Sequence, residues 1–279
     1  MNNFLVFQSD FGLGDGAVSA MEGVSFGVSP NLNIRHLTHE ITPYNVFEAS
    51  YRIYQTINYW PEGTVFVSII DPGVGSERLS VVAKTKTGQY IVTPNNGTLT
   101  HVAKFIGIEE VRQIDESVNR LKNSAQSYTF HGRDVYAYTG ARLASKTITY
   151  EEVGPKLDNS VVEMLELYGS HVEENCVKGE IDILDVRFGS LWTSVTFDDF
   201  KSLDFNFGDN VKVQIYNGYK LVYEATIAYG HSFADVNVGS PIVYMNSVNH
   251  MAVAINQGNF AEAYRIGVGA PWRITFTKI

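Results

Sequence analysis

Four side chains carry the chemistry this sequence offers: Asp10, Asp71, Arg78 and His131. Asp10 closes a short apolar run near the start, and Asp71 is the first charged residue after a second such run at 64–70. In an open α/β sheet, the carboxyl ends of the strands are where loops and helix N-termini converge on ligands. Asp10 there is either a turn or helix-capping residue or a carboxylate that grips paired hydroxyls, such as a ribose diol. Asp71 opens the segment Asp71-Pro-Gly-Val-Gly-Ser-Glu-Arg78, which sets a carboxylate and a guanidinium across a glycine loop. The two form either a structural ion pair clamping a tight turn or part of a polar catalytic cluster. His131, followed by Gly132, Arg133 and Asp134, is a solitary histidine at a strand-to-helix style junction, where its ring can point into the same crevice.

Other constellations carry less. Gly12-Leu-Gly14-Asp-Gly16 has its third glycine one residue too early for a dinucleotide fingerprint, so a flexible turn is the simpler reading. His36 and His39, with Glu40 beside them, have metal-like spacing but no helix and no obvious third ligand. The hydroxyls of Ser9 and Ser76 lack a clear histidine partner for a nucleophilic triad. His101, His171, His231 and His250 stand alone.

The elements that must position these residues fall into two halves. From residue 1 to about 168, apolar runs alternate with amphipathic stretches, the pattern of an α/β domain with a central, mostly parallel sheet. Strands are expected at 4–8, 33–37 and 64–70 and on both sides of Lys86-Thr-Gly88, with helices at 17–28 and from Thr42-Pro43 through Tyr59. Pro94-Asn-Asn-Gly97 reads as a turn into a helix, residues 115–127 as a polar loop, and 130–143 as a further helix. After a polar connector the grammar changes: residues 174–279 read as short strands and turns, including a hairpin at Asn217-Gly218, and predict a smaller antiparallel β-barrel.

A chain of 279 residues with 44% hydrophobic content buries a sizeable core. A net charge of -9 leaves no basic stripe for a nucleic-acid partner. The single cysteine, Cys176, makes no intrachain disulfide, and no apolar run suits a signal peptide or a membrane span. A cytoplasmic protein without membrane or nucleic-acid partners is therefore expected.

Several segments, taken together and in order, resemble one family. They are Ser9-Asp10-Phe11-Gly12, Ile41-Thr-Pro43, Pro61-Glu-Gly-Thr64, Asp71-Pro-Gly-Val-Gly75, Pro94-Asn-Asn-Gly97 and Phe130-His-Gly-Arg-Asp134. In the second half they are Asp185 with Phe188-Gly189, Ser232-Phe233-Ala234, Asn246-Ser247 and Asn256-Gln-Gly-Asn259. This set resembles the S-adenosyl-L-methionine (SAM) hydrolases, also called SAM hydroxide adenosyltransferases, relatives of fluorinase and chlorinase. The resemblance implies hydrolysis of SAM to adenosine and L-methionine, with no cofactor and no metal, in a homotrimer whose sites lie between subunits. It implies a water-activating triad of Asp71, Arg78 and His131. It also implies Asp10 on the ribose hydroxyls, Tyr44 beside the nucleoside, and Asp185 and Ser247 at the methionine end, with Asp15 as a helper. Phe188, Trp192 and Phe233 would line the adenine pocket, with Ser190 and Gln257 at its edge. In the halogenase relatives a Tyr stands where Asp71 is and the residue matching His131 is not a His, so the resemblance favours the hydrolase branch. Two departures stand out: Ser190 replaces a common Asn, and Val248 stands where fluorinase has an Arg. Competing classes are a non-catalytic SAM or nucleoside sensor, a nucleotide-dependent oxidoreductase, and a halogenase.

Overall fold

The computed structural model describes residues 3–126 and 128–279. Ser127, the last residue of the loop expected at 115–127, lies outside them, as do Met1 and Asn2. The chain divides into two compact units, Met1–Leu165 and Glu166–Ile279.

The first unit is an α/β domain. Its chain runs β1 (Phe4–Ser9), α1 (Ala17–Val28), β2 (Asn33–Thr38), α2 (Val46–Ile57), β3 (Val65–Ile69), β4 (Ser80–Thr85), β5 (Tyr90–Pro94), α3 (Thr100–Phe105) and β6 (Ile108–Gln113). A π-helical turn (Gly132–Ala137), α4 (Tyr138–Ala144) and β7 (Lys156–Leu157) complete it. The seven strands form one sheet in the order β2-β1-β3-β5-β4-β6-β7. β1 pairs in parallel with β2 and β3, and β3 in parallel with β5; β4 and β7 run against their neighbours. The mostly parallel sheet expected from the apolar runs is present. Burial on both faces explains why β3 is apolar at nearly every position rather than alternating. Leu5 and Phe7 of β1 join the core under α1 and α4, while Val6 joins the core under α2 and α3.

Strand order positions the site. From β1 the chain crosses through α1 to β2 on one side, then returns through α2 to β3 on the other side of β1. The reversal opens a crevice between the carboxyl ends of β1 and β3, the switch point at which open sheets bind ligands. β1 and β3 pair in register up to Ser9 with Ile69, so Asp10 and Asp71 emerge at the same edge.

Helix α2 begins at Val46, later than the expected start at Thr42-Pro43. Tyr44 has φ of 68°, a left-handed backbone that an L-residue helix does not propagate. Asn45 caps the helix instead, its side chain accepting from the Glu48 amide at 3.0 Å.

The second unit is a barrel. It comprises β8 (His171–Val172), β9 (Cys176–Asp185), β10 (Ser190–Thr196), α5 (Phe197–Lys201), β11 (Asn210–Asn217), β12 (Lys220–Tyr229), β13 (Pro241–Met245), β14 (His250–Ile255), α6 (Phe260–Tyr264) and β15 (Trp272–Lys278). The order β10-β14-β13-β12-β11-β15-β9 closes through a β9–β10 pairing, and β8 is appended to β9. Closure removes sheet edges. β12 pairs with β13 in parallel, and the other pairings are antiparallel. The hairpin at Asn217-Gly218 joins β11 to β12 as expected, with Gly218 at φ 57°. Stacked Phe200 and Phe205, with Phe276 and Tyr229, fill the barrel core.

Candidate functional site

A cavity of about 360 Å³ opens at the switch point of the first unit, lined by Asp10, Phe11, Pro43, Tyr44, Ile69, Asp71, Val74, Thr129, Phe130, His131 and Gly132. Three of the four residues singled out for chemistry thus face one space, and the fourth, Arg78, is bonded to one of them. Arg78 Nε donates to Asp71 Oδ1 at 2.6 Å, and Arg78 Nη2 donates to Asp71 Oδ2. Such a two-pronged pair fixes the carboxylate in orientation as well as position. Arg78 Nη2 also lies 3.4 Å from His131 Nδ1. Burial alone would depress the Arg78 guanidinium, but the Asp71 hydrogen bond and nearby acidic groups raise it above the ordinary arginine range. Asp71, Arg78 and His131 therefore converge, although 53 residues separate the arginine from the histidine.

His131 immediately precedes the π-helical turn. Turns of this type carry one residue more than an α-helical turn and occur often at functional sites. Gly132 leaves no room beside it: a Cβ there would meet Ile69 at 3.2 Å and the rings of Phe11 and Phe130 at 3.3 Å. His131 is 5% exposed, and burial is the main cause that lowers its imidazole below the ordinary histidine range, with Arg78 and Arg120 adding to the effect and Glu116 and Asp71 opposing it. A neutral imidazole at neutral pH is suited to accepting a proton.

Asp10 is held from outside the strand. Its Oδ2 accepts the Tyr44 amide at 2.9 Å, and among the described residues no hydrogen bond reaches its Oδ1. The left-handed backbone of Tyr44 presents that amide and leaves the Tyr44 ring 73% exposed at the cavity mouth. Asp15 does not line the cavity; it is exposed and accepts the Ala17 amide at 2.9 Å at the start of α1.

Behind Asp10 lies an arrangement the sequence did not disclose. Ser9 Oγ lies 2.7 Å from His39 Nδ1, His39 Nε2 lies 2.7 Å from His36 Nδ1, and His36 Nε2 lies 2.9 Å from Glu22 Oε1. Ser9 thus has a histidine partner after all, 30 residues away. The serine is fully buried, so the chain braces the strand end rather than presenting a nucleophile. Burial first, and His36 second, push His39 down to about 4. Among the described residues no group of three His, Cys, Asp or Glu side chains is placed to hold a metal ion.

Sequence reasoning also missed a second polar layer. Glu116 Oε2 accepts from Arg120 Nη1 at 2.9 Å, and Arg120 Nη1 lies 3.5 Å from His131 Nε2. Ser80 Oγ donates to Glu116 Oε1 at 3.4 Å and lies 3.1 Å from Tyr136 OH. Glu116 and Arg120 sit in the stretch read only as a polar loop; their i, i+4 spacing was the available signal.

The second unit has its own hollow of about 730 Å³, lined by Asp185, Arg187, Phe188, Ser190, Phe233, Ile255, Asn256, Gln257, Gly258 and Asn259. Five of the expected binding residues line it: Asp185, Phe188, Ser190, Phe233 and Gln257. Phe188 and Phe233 are 67% and 42% exposed, large for phenylalanine rings. The turn that carries Phe188 depends on Gly189, which has φ of 65° and on which a Cβ would lie 1.7 Å from Asn259 Oδ1. Trp192 and Ser247 are elsewhere, Trp192 buried in β10 and Ser247 exposed in the β13–β14 turn. Arg187 lines the hollow without having been singled out beforehand, and Asn256 and Asn259, quoted above as parts of a motif with no role of their own, line it as well.

Comparison with known proteins agrees with this layout. Residues 5–154 match the SAM hydroxide adenosyltransferase N-terminal domain, and residues 179–273 match the corresponding C-terminal domain. The (R)-S-adenosyl-L-methionine hydrolase of Methanocaldococcus jannaschii is 36% identical over 76% of this chain and 73% of its own. The fluorinase of Actinopolyspora mzabensis is 28% identical over 97% of this chain and 96% of its own. The crystal structure of an uncharacterized conserved protein from Thermotoga maritima superposes with a TM-score of 0.90 at 34% identity, covering 98% of this chain and 100% of that one. With both domain models matched in order and the polar cluster assembled at the switch point of the first, the chain belongs to the SAM hydroxide adenosyltransferase family.

Proposed function

We propose that the protein hydrolyses SAM to adenosine and L-methionine by in-line attack of an activated water on the ribose C5′. The observation that carries this reading is the convergence of Asp71, Arg78 and His131 in a cavity that Asp10 also lines. The sulfonium makes methionine a good leaving group without protonation, so the protein must only deliver a nucleophile. Water is a poor one at neutral pH, and oriented groups that accept its proton supply what is missing. In the step, a water oxygen bonds to C5′, the C5′–S bond breaks with its electron pair going to sulfur, and one water proton passes to the Asp71–His131 cluster. Arg78 holds Asp71 and faces the negative charge that develops on the water. Asp10 binds the ribose hydroxyls, and the Tyr44 ring lies against the nucleoside. The chemistry calls for neither cofactor nor metal.

In the same reading the aromatic hollow of the second unit receives adenine against Phe188 and Phe233, while Asp185 and Ser247 hold the methionine end. Homotrimer assembly would bring that hollow to the cavity of a neighbouring copy, and the exposure of Phe188 and Tyr44 in the single chain supports this. Among the described residues no helix is long and apolar enough to cross a membrane, in keeping with a cytoplasmic enzyme.

The test is to incubate the purified protein with SAM in water, chloride or fluoride and identify the nucleoside. Adenosine under all three conditions is expected. A 5′-halogenated nucleoside would assign it to the halogenase branch of the family, and binding without turnover would make it a sensor.

A further inference from the structure

The polar groups around His131 form a closed circuit. Asp71 is fixed by Arg78, and Arg78 Nη1 reaches Ser80 Oγ at 3.4 Å. Ser80 contacts Glu116, Glu116 holds Arg120, and Arg120 and Arg78 then meet the two ring nitrogens of His131 from opposite sides. Arg120 is itself anchored: its Nε donates to Ser124 Oγ at 3.1 Å, and its guanidinium lies 4.9 Å from the Tyr128 ring centroid. The side chain is 9% exposed, so its charge acts in a poorly screened setting.

A neutral imidazole has one N–H and one lone pair. Both nitrogens here face a guanidinium, which only donates, so whichever nitrogen carries the proton points it at a cation. The distances of 3.4 and 3.5 Å exceed those of strong hydrogen bonds; the guanidinium that faces the lone pair can donate to it, whereas the one that faces the N–H cannot. A second proton would add a positive charge between two others. The circuit therefore opposes the imidazolium, whichever tautomer the neutral ring adopts.

We propose that Arg120, held by Glu116, is a positioning residue that keeps the His131 ring neutral and fixed in place beside the Asp71–Arg78 pair. This rests on the hydrolytic reading above for its role in turnover, but not for its effect on the histidine. The charged and titratable groups facing His131 are Asp71 and Arg78 from the segment after β3, Glu116, Arg120 and Tyr128 from the long loop, and Tyr136 through Ser80. The two loop charges act with opposite sign: Arg120 repels a proton on His131 and Glu116 attracts one.

The experiment follows the His131 imidazole by NMR as a function of pH in the full-length protein, its signal assigned by its loss in His131→Gln. Arg120→Gln is expected to raise the midpoint by about half a pH unit, and Glu116→Gln to lower it by a similar amount. Arg120→Lys, which retains the charge, should stay near wild type. A general loosening of the site would instead move all three variants upward, toward the value of a solvated histidine. The acid limb of kcat/KM for SAM should shift in the same directions, so that activity lost by Arg120→Gln near neutral pH is recovered at higher pH. Unchanged midpoints in Arg120→Gln and Glu116→Gln, or upward shifts in both, overturn the proposal, as does a pH-independent loss of turnover with an unmoved histidine. If the protein forms no adenosine, the hydrolytic reading fails while the titration still decides the role of Arg120.

Discussion

In the first unit, Asp71, Arg78, Arg120, Glu116 and His131 hold one another in a circuit of which only Glu116 is substantially exposed, and two of its members, Asp71 and His131, line a cavity of about 360 Å³. In the second, Asp185 and Arg187 line a hollow of about 730 Å³ beside exposed phenylalanines, and no salt bridge among the described residues joins them. The difference separates two kinds of work. Fixed dipoles and charges stabilise a developing charge only if they need not reorganise when it forms, and a circuit of mutually restrained groups meets that condition. Flat apolar rings beside loosely held polar groups suit recognition, where area and shape matter more than field. Under the hydrolytic reading proposed above, the first unit would set the rate and the second the affinity.

The largest expected effect breaks the comparison if it is absent. Asp71→Asn and His131→Ala should each lower turnover of SAM by about a hundredfold or more while adenosine binding, followed by calorimetry, changes little. Loss of binding in step with turnover would make the circuit a recognition element like the second hollow.

Next comes an acid response that is larger in the first unit. His39 is pushed down to about 4 from an ordinary value of 6.5, so between those values the unfolded chain binds a proton that the folded chain refuses. Its contribution to stability is complete above pH 6.5 and is lost as pH falls toward 4, by at most ~3 kcal/mol. Hydrogen exchange at pH 7.5 and 4.5 should show protection falling in Met1–Leu165 more than in Glu166–Ile279. His39→Gln should narrow that gap, and an equal fall in both units would remove the assignment to His39.

The smallest effects sharpen the division of labour. Asp10→Ala should weaken adenosine binding by about tenfold, the scale of a lost charged hydrogen bond. Phe188→Ala should raise KM by a few-fold, as expected for one lost aromatic contact, with kcat nearly unchanged. A fall in kcat for Phe188→Ala matching that of Asp71→Asn would end the separation of rate from affinity.

How much of this was legible in the sequence follows from the range of the interactions involved. α1 at Ala17–Val28 and the hairpin after Asn217 were readable because local periodicity and turn chemistry determine them. The central sheet was readable because two-sided burial leaves apolar runs. β6, with Glu109, Glu110 and Arg112 within six residues, carries no such run, and α5 and α6 are five residues each, too short for a helical period. At the site, Asp10, Asp71, Arg78 and His131 stood out through their motifs. Ser9 with His39, and Arg120 with His131, are joined only by folding, and nothing local marks such pairs. The shift of the α2 start from Thr42 to Val46 has the same origin: the Asp10 carboxylate holds Tyr44 from 34 residues away.

The π-helical turn after His131 has a geometric consequence of its own. Each residue of an α-helix advances the chain by about 100° around the axis, so the extra residue within Gly132–Ala137 offsets everything before it from everything after. Ala141, Leu143 and Ala144 of α4 remain seated in the core against the sheet. His131, on the other side of the offset, is released from that register. The fold thereby separates the angular phase of His131 from the packing of the helix that follows it, and a single inserted position acts as the vernier between them.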